Sequence, residues 1–93
     1  MLVVVVYDIA DDDRRQSVFS ALQGVGTRVQ LSTFECRFEL KDGESILRET
    51  LRGMIDSEED QIRFYYIETG ADGPLVTIMG ERTLEEWKGY HIL

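Results

Sequence analysis

Leu2-Val3-Val4-Val5-Val6-Tyr7-Asp8 decides the fold. Six of its seven residues are apolar, and four consecutive valines are β-branched. Such side chains are stiff at χ1 and suit a pleated strand better than a helix. A near-continuous apolar run reads as a strand buried on both faces, in the middle of a sheet. The run stops at a carboxylate. Asp8 is thereby placed at the carboxyl end of a central strand, where sheets with helices often put ligands and metals.

Outward from that strand, Ala10-Asp11-Asp12-Asp13 breaks the extended pattern. Any of the aspartates can cap a helix, because a short carboxylate accepts from the free N–H groups of the first turn. The same cluster also has the look of a metal site, and capping is the reading preferred. Val18, Leu22 and Val25 recur at helical spacing, with Phe19 widening the face, so a helix is predicted to about Val25. Arg14 and Arg15 lie in its first turn, the wrong end for the helix dipole, and are expected to serve the tertiary structure or a ligand. Gly24 and Gly26 offer a left-handed residue to end it.

Residues 28–40 read as extended. Val29 and Leu31 fall on odd positions, whereas Phe34, Cys36, Phe38 and Leu40 fall on even ones. One strand cannot keep a single buried face through that change of parity, so a bulge or reversal near Ser32-Thr33 and two strands are predicted. A second helix opens at Lys41-Asp42-Gly43-Glu44 and carries Ile46, Leu47, Leu51, Met54 and Ile55 at helical spacing. Ser57-Glu58-Glu59-Asp60 reads as a polar loop. Gln61–Ile67 is a strand with Ile62, Phe64 and Tyr66 on one face. Gly70–Pro74 is a turn, Leu75–Met79 a fifth short strand at a sheet edge, and Thr83–Trp87 one helical turn.

The predicted order is βαββαβ plus a strand. It defines an α+β, ferredoxin-like domain over residues 1–80, with helices on one face of a mostly antiparallel sheet, and a tail over 81–93. The open face of such a sheet presents alternate apolar residues, which makes a homodimer the default expectation.

Composition bounds the function. Ninety-three residues make one domain. The apolar run is too short to cross a bilayer and has no basic flank, so no membrane partner is expected and the location expected is cytoplasmic. The single Cys36 has no disulfide or zinc partner. A net charge of -8 argues against coating nucleic acid by bulk charge. Residues 1–40 hold four basic and six acidic residues, and 41–93 hold six and twelve, so any phosphate-binding surface is expected on the N-terminal part.

Tyr7-Asp8-Ile9, Asp11-Asp12-Asp13-Arg14-Arg15, Gly26-Thr27-Arg28-Val29-Gln30 and Ser32-Thr33-Phe34-Glu35 together resemble the CRISPR-associated endoribonuclease family, the smaller of the two universal spacer-adaptation proteins. The resemblance runs in order through the strand at 61–67. It implies a homodimeric, Mg2+-dependent phosphodiesterase acting on single-stranded RNA or double-stranded DNA. The family's metal-binding, catalytic aspartate falls on Asp8, with two copies facing across the dimer axis. Its other sensitive positions fall on Tyr7, Arg15, Arg28 and Phe34, as nucleic-acid-binding or supporting residues. Ser17 stands where a basic residue is common, which weakens the phosphate surface. The resemblance also implies a second role, a non-catalytic bridge between dimers of the larger adaptation integrase. It further implies that the fifth strand pairs with the partner subunit.

The chemistry is coherent with these residue types. Magnesium takes oxygen ligands and keeps waters, so one or two carboxylates plus substrate phosphates suffice. Arg15 and Arg28 would hold flanking phosphates through guanidinium forks. Tyr7 and Phe34 would support the site or stack on bases, and Phe34 reads equally as core. Cys36 reads as a small buried hydrophobe. No Gly-rich phosphate loop, CxxC pair or nucleophile for His91 is present. A ligand-binding regulatory domain of the same fold has no motif in its favour.

Overall fold

The computed structural model describes residues 1–68 and 76–80. The chain runs β1 (Leu2–Asp8), α1 (Asp12–Gln23), β2 (Gly26–Gln30), β3 (Thr33–Arg37), α2 (Lys41–Arg52), β4 (Gln61–Glu68) and β5 (Val76–Met79). All pairings are antiparallel, in the order β2-β3-β1-β4-β5. The βαββαβ order and the added strand are therefore present, with β1 at the centre. The turn expected at Gly70–Pro74, the helical turn at Thr83–Trp87, His91 and the tail at 81–93 lie outside the described residues.

Val3, Val5, Tyr7 and Ile9 join Val18, Leu22, Leu47 and Leu51 in one core under the two helices. Val4, Val6 and Asp8 are only half buried and point to the other face. The expectation of burial on both faces is thus corrected. Both helices pack on the same side, so alternate residues of even a central strand stay open within one chain. That open face also carries Val76 and Ile78 of β5, both exposed.

α1 starts where the Asp11 carboxylate accepts from the Arg14 N–H at 2.9 Å. It closes at Gly24 with φ -74, a right-handed conformation, so the left-handed cap expected at Gly24 or Gly26 is absent. Val25, expected in the core, is exposed because the helix has ended before it. Gly26 instead opens β2, where a Cβ would meet Cys36 Sγ at 2.6 Å and the Glu35 carbonyl at 2.7 Å. The reversal predicted near Ser32-Thr33 falls at Leu31-Ser32, and the β2–β3 register also slips between Arg28 and Gln30. Phe34, Cys36 and Phe38 are buried as the even parity required. Leu40 and Ile46 are exposed, at 71% and 66%. Leu40 lies outside the helix as its N-cap, and Ile46 falls one position off the Leu47–Leu51 stripe.

β5 runs along β4 of its own chain, pairing Ile62 with Met79 and Tyr65 with Val76. Within the single chain, β5 thus forms the sheet edge beside β4. Arg48 secures it from α2, donating at 2.8 Å to both the Tyr66 hydroxyl and Thr77 Oγ1, while its guanidinium lies 4.5 Å from the Phe64 ring centre. The Tyr66 hydroxyl donates in turn to the buried Glu44 at 2.6 Å. Burial and that carboxylate raise the Tyr66 pKa.

Gly80 follows β5 with φ +99, in the region that favours glycine. A Cβ there would collide with the Asp60 carbonyl oxygen. Gly80→Ala is expected to lower the unfolding free energy by about 2 kcal/mol or more, combining strain with overpacking. Gly53→Ala, at φ -76 and with only ordinary contacts, should be neutral or stabilising by up to about 1 kcal/mol. Urea unfolding of the two variants checks the contrast.

Candidate functional site

The end of β1 is held from four directions. The Tyr7 N–H donates to the Ser32 carbonyl at 3.0 Å, and the Tyr7 hydroxyl to the Leu31 carbonyl at 3.3 Å. The Ile9 carbonyl accepts from Arg15 Nη1 at 3.0 Å. The Ala10 N–H donates to Asp60 Oδ1 at 2.9 Å. Asp8 sits between these anchors with a fixed backbone and a half-buried side chain.

Asp60 is the buried centre of this arrangement, with 0% of its surface exposed. Its carboxylate accepts from Arg14 Nε at 2.8 Å, Arg14 Nη2 at 3.2 Å, the Asp56 N–H at 2.8 Å and the Ala10 N–H. Burial pushes its pKa up, but the Arg14 guanidinium and the two backbone donors outweigh burial and leave it below the usual carboxylate value. The same pairing raises the Arg14 pKa. The sequence places Asp60 in a polar loop and gives Arg14 no task apart from that of Arg15. The two lie 46 positions apart, and one acid in Ser57-Glu58-Glu59-Asp60 looks like the others.

The sequence-predicted residues divide between the two faces of the sheet. Tyr7, Arg15 and Arg28 meet on the helix side, around an open cleft of about 320 Å³ that Asp12, Gln16, Phe19 and Leu31 complete. Arg15 pairs with Asp12 as well as with the Ile9 carbonyl. Arg28 lies over the Phe19 ring at 5.3 Å, within cation–π range. Burial raises the Tyr7 pKa, against the opposing fields of Arg28 and Arg15. Phe34 is fully buried, stacked near Tyr7 at 6.4 Å and edge-on to Phe19 at 5.7 Å. Its burial leaves it supporting the cleft floor and unable to stack on a base. Asp8 does not line the cleft, because successive residues of a strand point to opposite faces. The cleft residues Gln16, Phe19 and Leu31 had no motif to mark them.

Among the described residues, no three His, Cys, Asp or Glu side chains gather as a metal site. This includes Asp11, Asp12 and Asp13, of which Asp11 is the helix cap. A single chain thus offers Asp8 as one oxygen ligand. That fits magnesium only where a second carboxylate or substrate phosphates complete its shell. Cys36 is buried, and burial pushes its thiol up to about 11, as expected of an inert core residue.

A ferredoxin-like sheet with a carboxylate at the end of its central strand and an arginine-lined cleft behind it places the chain among small α+β proteins of ferredoxin-like topology. The chain belongs to the family of CRISPR associated protein Cas2, whose model matches residues 1–73. It is 42% identical over 88 residues to CRISPR-associated endoribonuclease Cas2 3 of Synechocystis, covering 95% of this chain and 94% of that protein. It is 40% identical over 78 residues to CRISPR-associated endonuclease Cas2 2 of Thermus thermophilus, covering 80% and 86%. The Streptococcus pyogenes Cas2 crystal structure at pH 6.5 superposes with a TM-score of 0.68 at 28% identity, covering 78% of this chain and 100% of that one. No helix among the described residues is long and apolar enough to cross a membrane.

Asp60→Asn is expected to lower the stability by about 2 kcal/mol or more at neutral pH, by unmaking a buried ion pair. Because the folded-state pKa lies below the unfolded value of about 3.9, this contribution is fully present above that pH. It is lost as pH falls through the folded pKa. Denaturant unfolding from pH 7 to pH 3 should show wild type and variant converging only at the acid end.

Proposed function

We propose that this chain is a magnesium-dependent CRISPR-associated endonuclease of spacer acquisition, cleaving single-stranded RNA or double-stranded DNA, with Asp8 as its metal-binding catalytic residue. The observation that carries this reading is the placement of Asp8. It ends the central strand, its neighbours are held by Arg15 and Asp60, and it faces outward on the open side of the sheet. The names of close relatives, endoribonuclease and endonuclease, support the reaction class.

The open face supports a homodimer. Leu2, Val4 and Val6 form its half-buried centre, and Val76 and Ile78 its exposed margin. A second copy laid on that face would bring two Asp8 carboxylates to one site, as a shared cation requires. Bound magnesium would supply charge stabilisation at the phosphoryl oxygens and a more acidic water. The chain's own part is positional. Asp8 holds one side of the site, and the anchored β1 end prevents it from drifting. In hydrolysis a water oxygen bonds to phosphorus, the P–O bond to the leaving sugar oxygen breaks, and that oxygen takes up a proton.

A second reading rests on the division of the site. Arg15 and Arg28 lie on the helix side, away from the face of Asp8, and Ser17 is exposed on α1 without charge. Those arginines suit a phosphate-binding surface separate from cleavage. The chain would then serve as a DNA-binding bridge for the larger CRISPR adaptation integrase, in the cytoplasm, with no membrane partner.

Labelled single-stranded RNA and double-stranded DNA, incubated with magnesium or chelator, test the first reading. Cleavage should require magnesium and fall about 100-fold or more in Asp8→Asn. Equal cleavage by both proteins would reject Asp8, and silence from both would favour the bridging role. Val4→Asp should convert dimer to monomer in sedimentation velocity. A Val4→Asp protein that remains dimeric would move the interface elsewhere.

A further inference from the structure

We infer that Arg63, rather than Arg15 or Arg28, is the cation that binds the substrate phosphodiester beside Asp8. The inference rests on the reading of Asp8 as the cleavage centre and adds its phosphate partner. Three observations carry it.

The first is register. Asp8 pairs with Gln61 and Val6 with Arg63, while Ile62 and Phe64 are buried beneath the helices. Odd residues of β4 therefore share the open face with Asp8. Arg63 is the diagonal neighbour of Asp8, a separation of about 7–8 Å between backbones that a long side chain spans.

The second is orientation. Arg63 Nε donates to Gln61 Oε1 at 3.2 Å, and Nη1 donates to the Tyr65 hydroxyl at 3.1 Å. Both partners belong to the same strand, and Gln61 is only 5% exposed. The guanidinium is consequently ordered by a rigid element before any ligand arrives, which lowers the entropy lost on binding.

The third is charge. A phosphodiester approaching Asp8 meets a carboxylate of its own sign. Among the described residues, Arg14, Arg15, Arg48 and Arg52 belong to the two helices, and Arg28 lies against Phe19 of α1. All five lie at the helix side of the sheet or its rim. Arg37 pairs with Leu2, at the opposite end of β1 from Asp8. Among the described residues, Arg63 is the arginine on the face of Asp8 and at its end, and a guanidinium fork matches two non-bridging phosphate oxygens.

The test uses the full chain as wild type, Arg63→Gln, Arg63→Lys and Asp8→Asn, with oligomeric state measured for each. Two readouts are taken, steady-state cleavage with magnesium and the salt dependence of duplex DNA binding without it. Arg63→Gln should lower kcat about 100-fold with a smaller change in KM. It should also make the plot of log Kobs against log salt shallower by about 0.9, the share of one phosphate contact. Arg63→Lys should recover part of kcat and the whole slope, because it keeps the charge and loses the fork. If Asp8→Asn abolishes cleavage while Arg63→Gln leaves kcat and slope unchanged, this inference fails and the reading of Asp8 stands. If Asp8→Asn cleaves normally, that reading fails, and Arg63 as its partner fails with it. Monomerisation of Arg63→Gln would make the residue an interface contact and overturn the inference. If wild type does not cleave, the slope alone decides, and a wild type that binds no duplex overturns it as well.

Discussion

The buried carboxylate of Asp60 is the constraint on which the rest of the structure depends. A charge fully removed from water is tolerable only when paired and hydrogen-bonded, and Asp60 is both. Its partners come from three places along the chain. Arg14 belongs to α1, Ala10 to the loop after β1, and Asp56 to the loop before β4. Gly80, beyond β5, packs against its carbonyl. One side chain therefore ties both flanks of the central strand pair to the first helix. Asp8 lies two residues before Ala10, so the same interaction sets the place of the proposed catalytic carboxylate.

The one-sided covering of the sheet has a direct consequence for the site. Tyr7 and Asp8 are adjacent in sequence but open onto different surroundings. Tyr7 turns inward to Phe34 and to a cleft bounded by arginines, whereas Asp8 turns outward to the open face, beside Gln61. A motif that reads as one constellation along the chain becomes two surfaces in space. The helix-side cleft is built of guanidiniums already engaged by an aromatic ring, a carboxylate or a carbonyl. On the open face, Arg63 of β4 is held by Gln61 and Tyr65 of the same strand. The chain that carries both surfaces is a member of the Cas2 family. Its net charge is -8. The cationic groups are placed locally, and the bulk charge limits non-specific binding.

Much of the architecture was legible in the residues because it follows from local periodicity. The valine run defined β1 with the right bounds, and its density of β-branched residues put it at the sheet centre. The change of parity between Leu31 and Phe34 demanded the β2–β3 reversal, and the helical spacing of Leu47 and Leu51 found α2. The run Asp11-Asp12-Asp13 marked the start of α1 without saying which of them caps it, because a cap acts within three residues of itself, and Asp11 is the one that does.

What only the tertiary structure decided are the choices that local pattern leaves degenerate. Composition cannot say that both helices fall on one side, and this is what leaves Val4, Val6 and Asp8 open. Nor does it distinguish Asp60 from Glu58 and Glu59, or Arg14 from Arg15, since the members of each group are chemically alike until a partner 46 positions away selects one. Arg63 gains its meaning in the same way. Its position opposite Val6 depends on strand register, which a slip of one residue would reverse to the other face. The sequence by itself determined the elements, their order and the acid at the strand end, because these depend on short-range sterics and periodicity. The faces, the buried ion pair and the neighbours of Asp8 were decided by folding, because they depend on pairings between segments that carry no mark of one another.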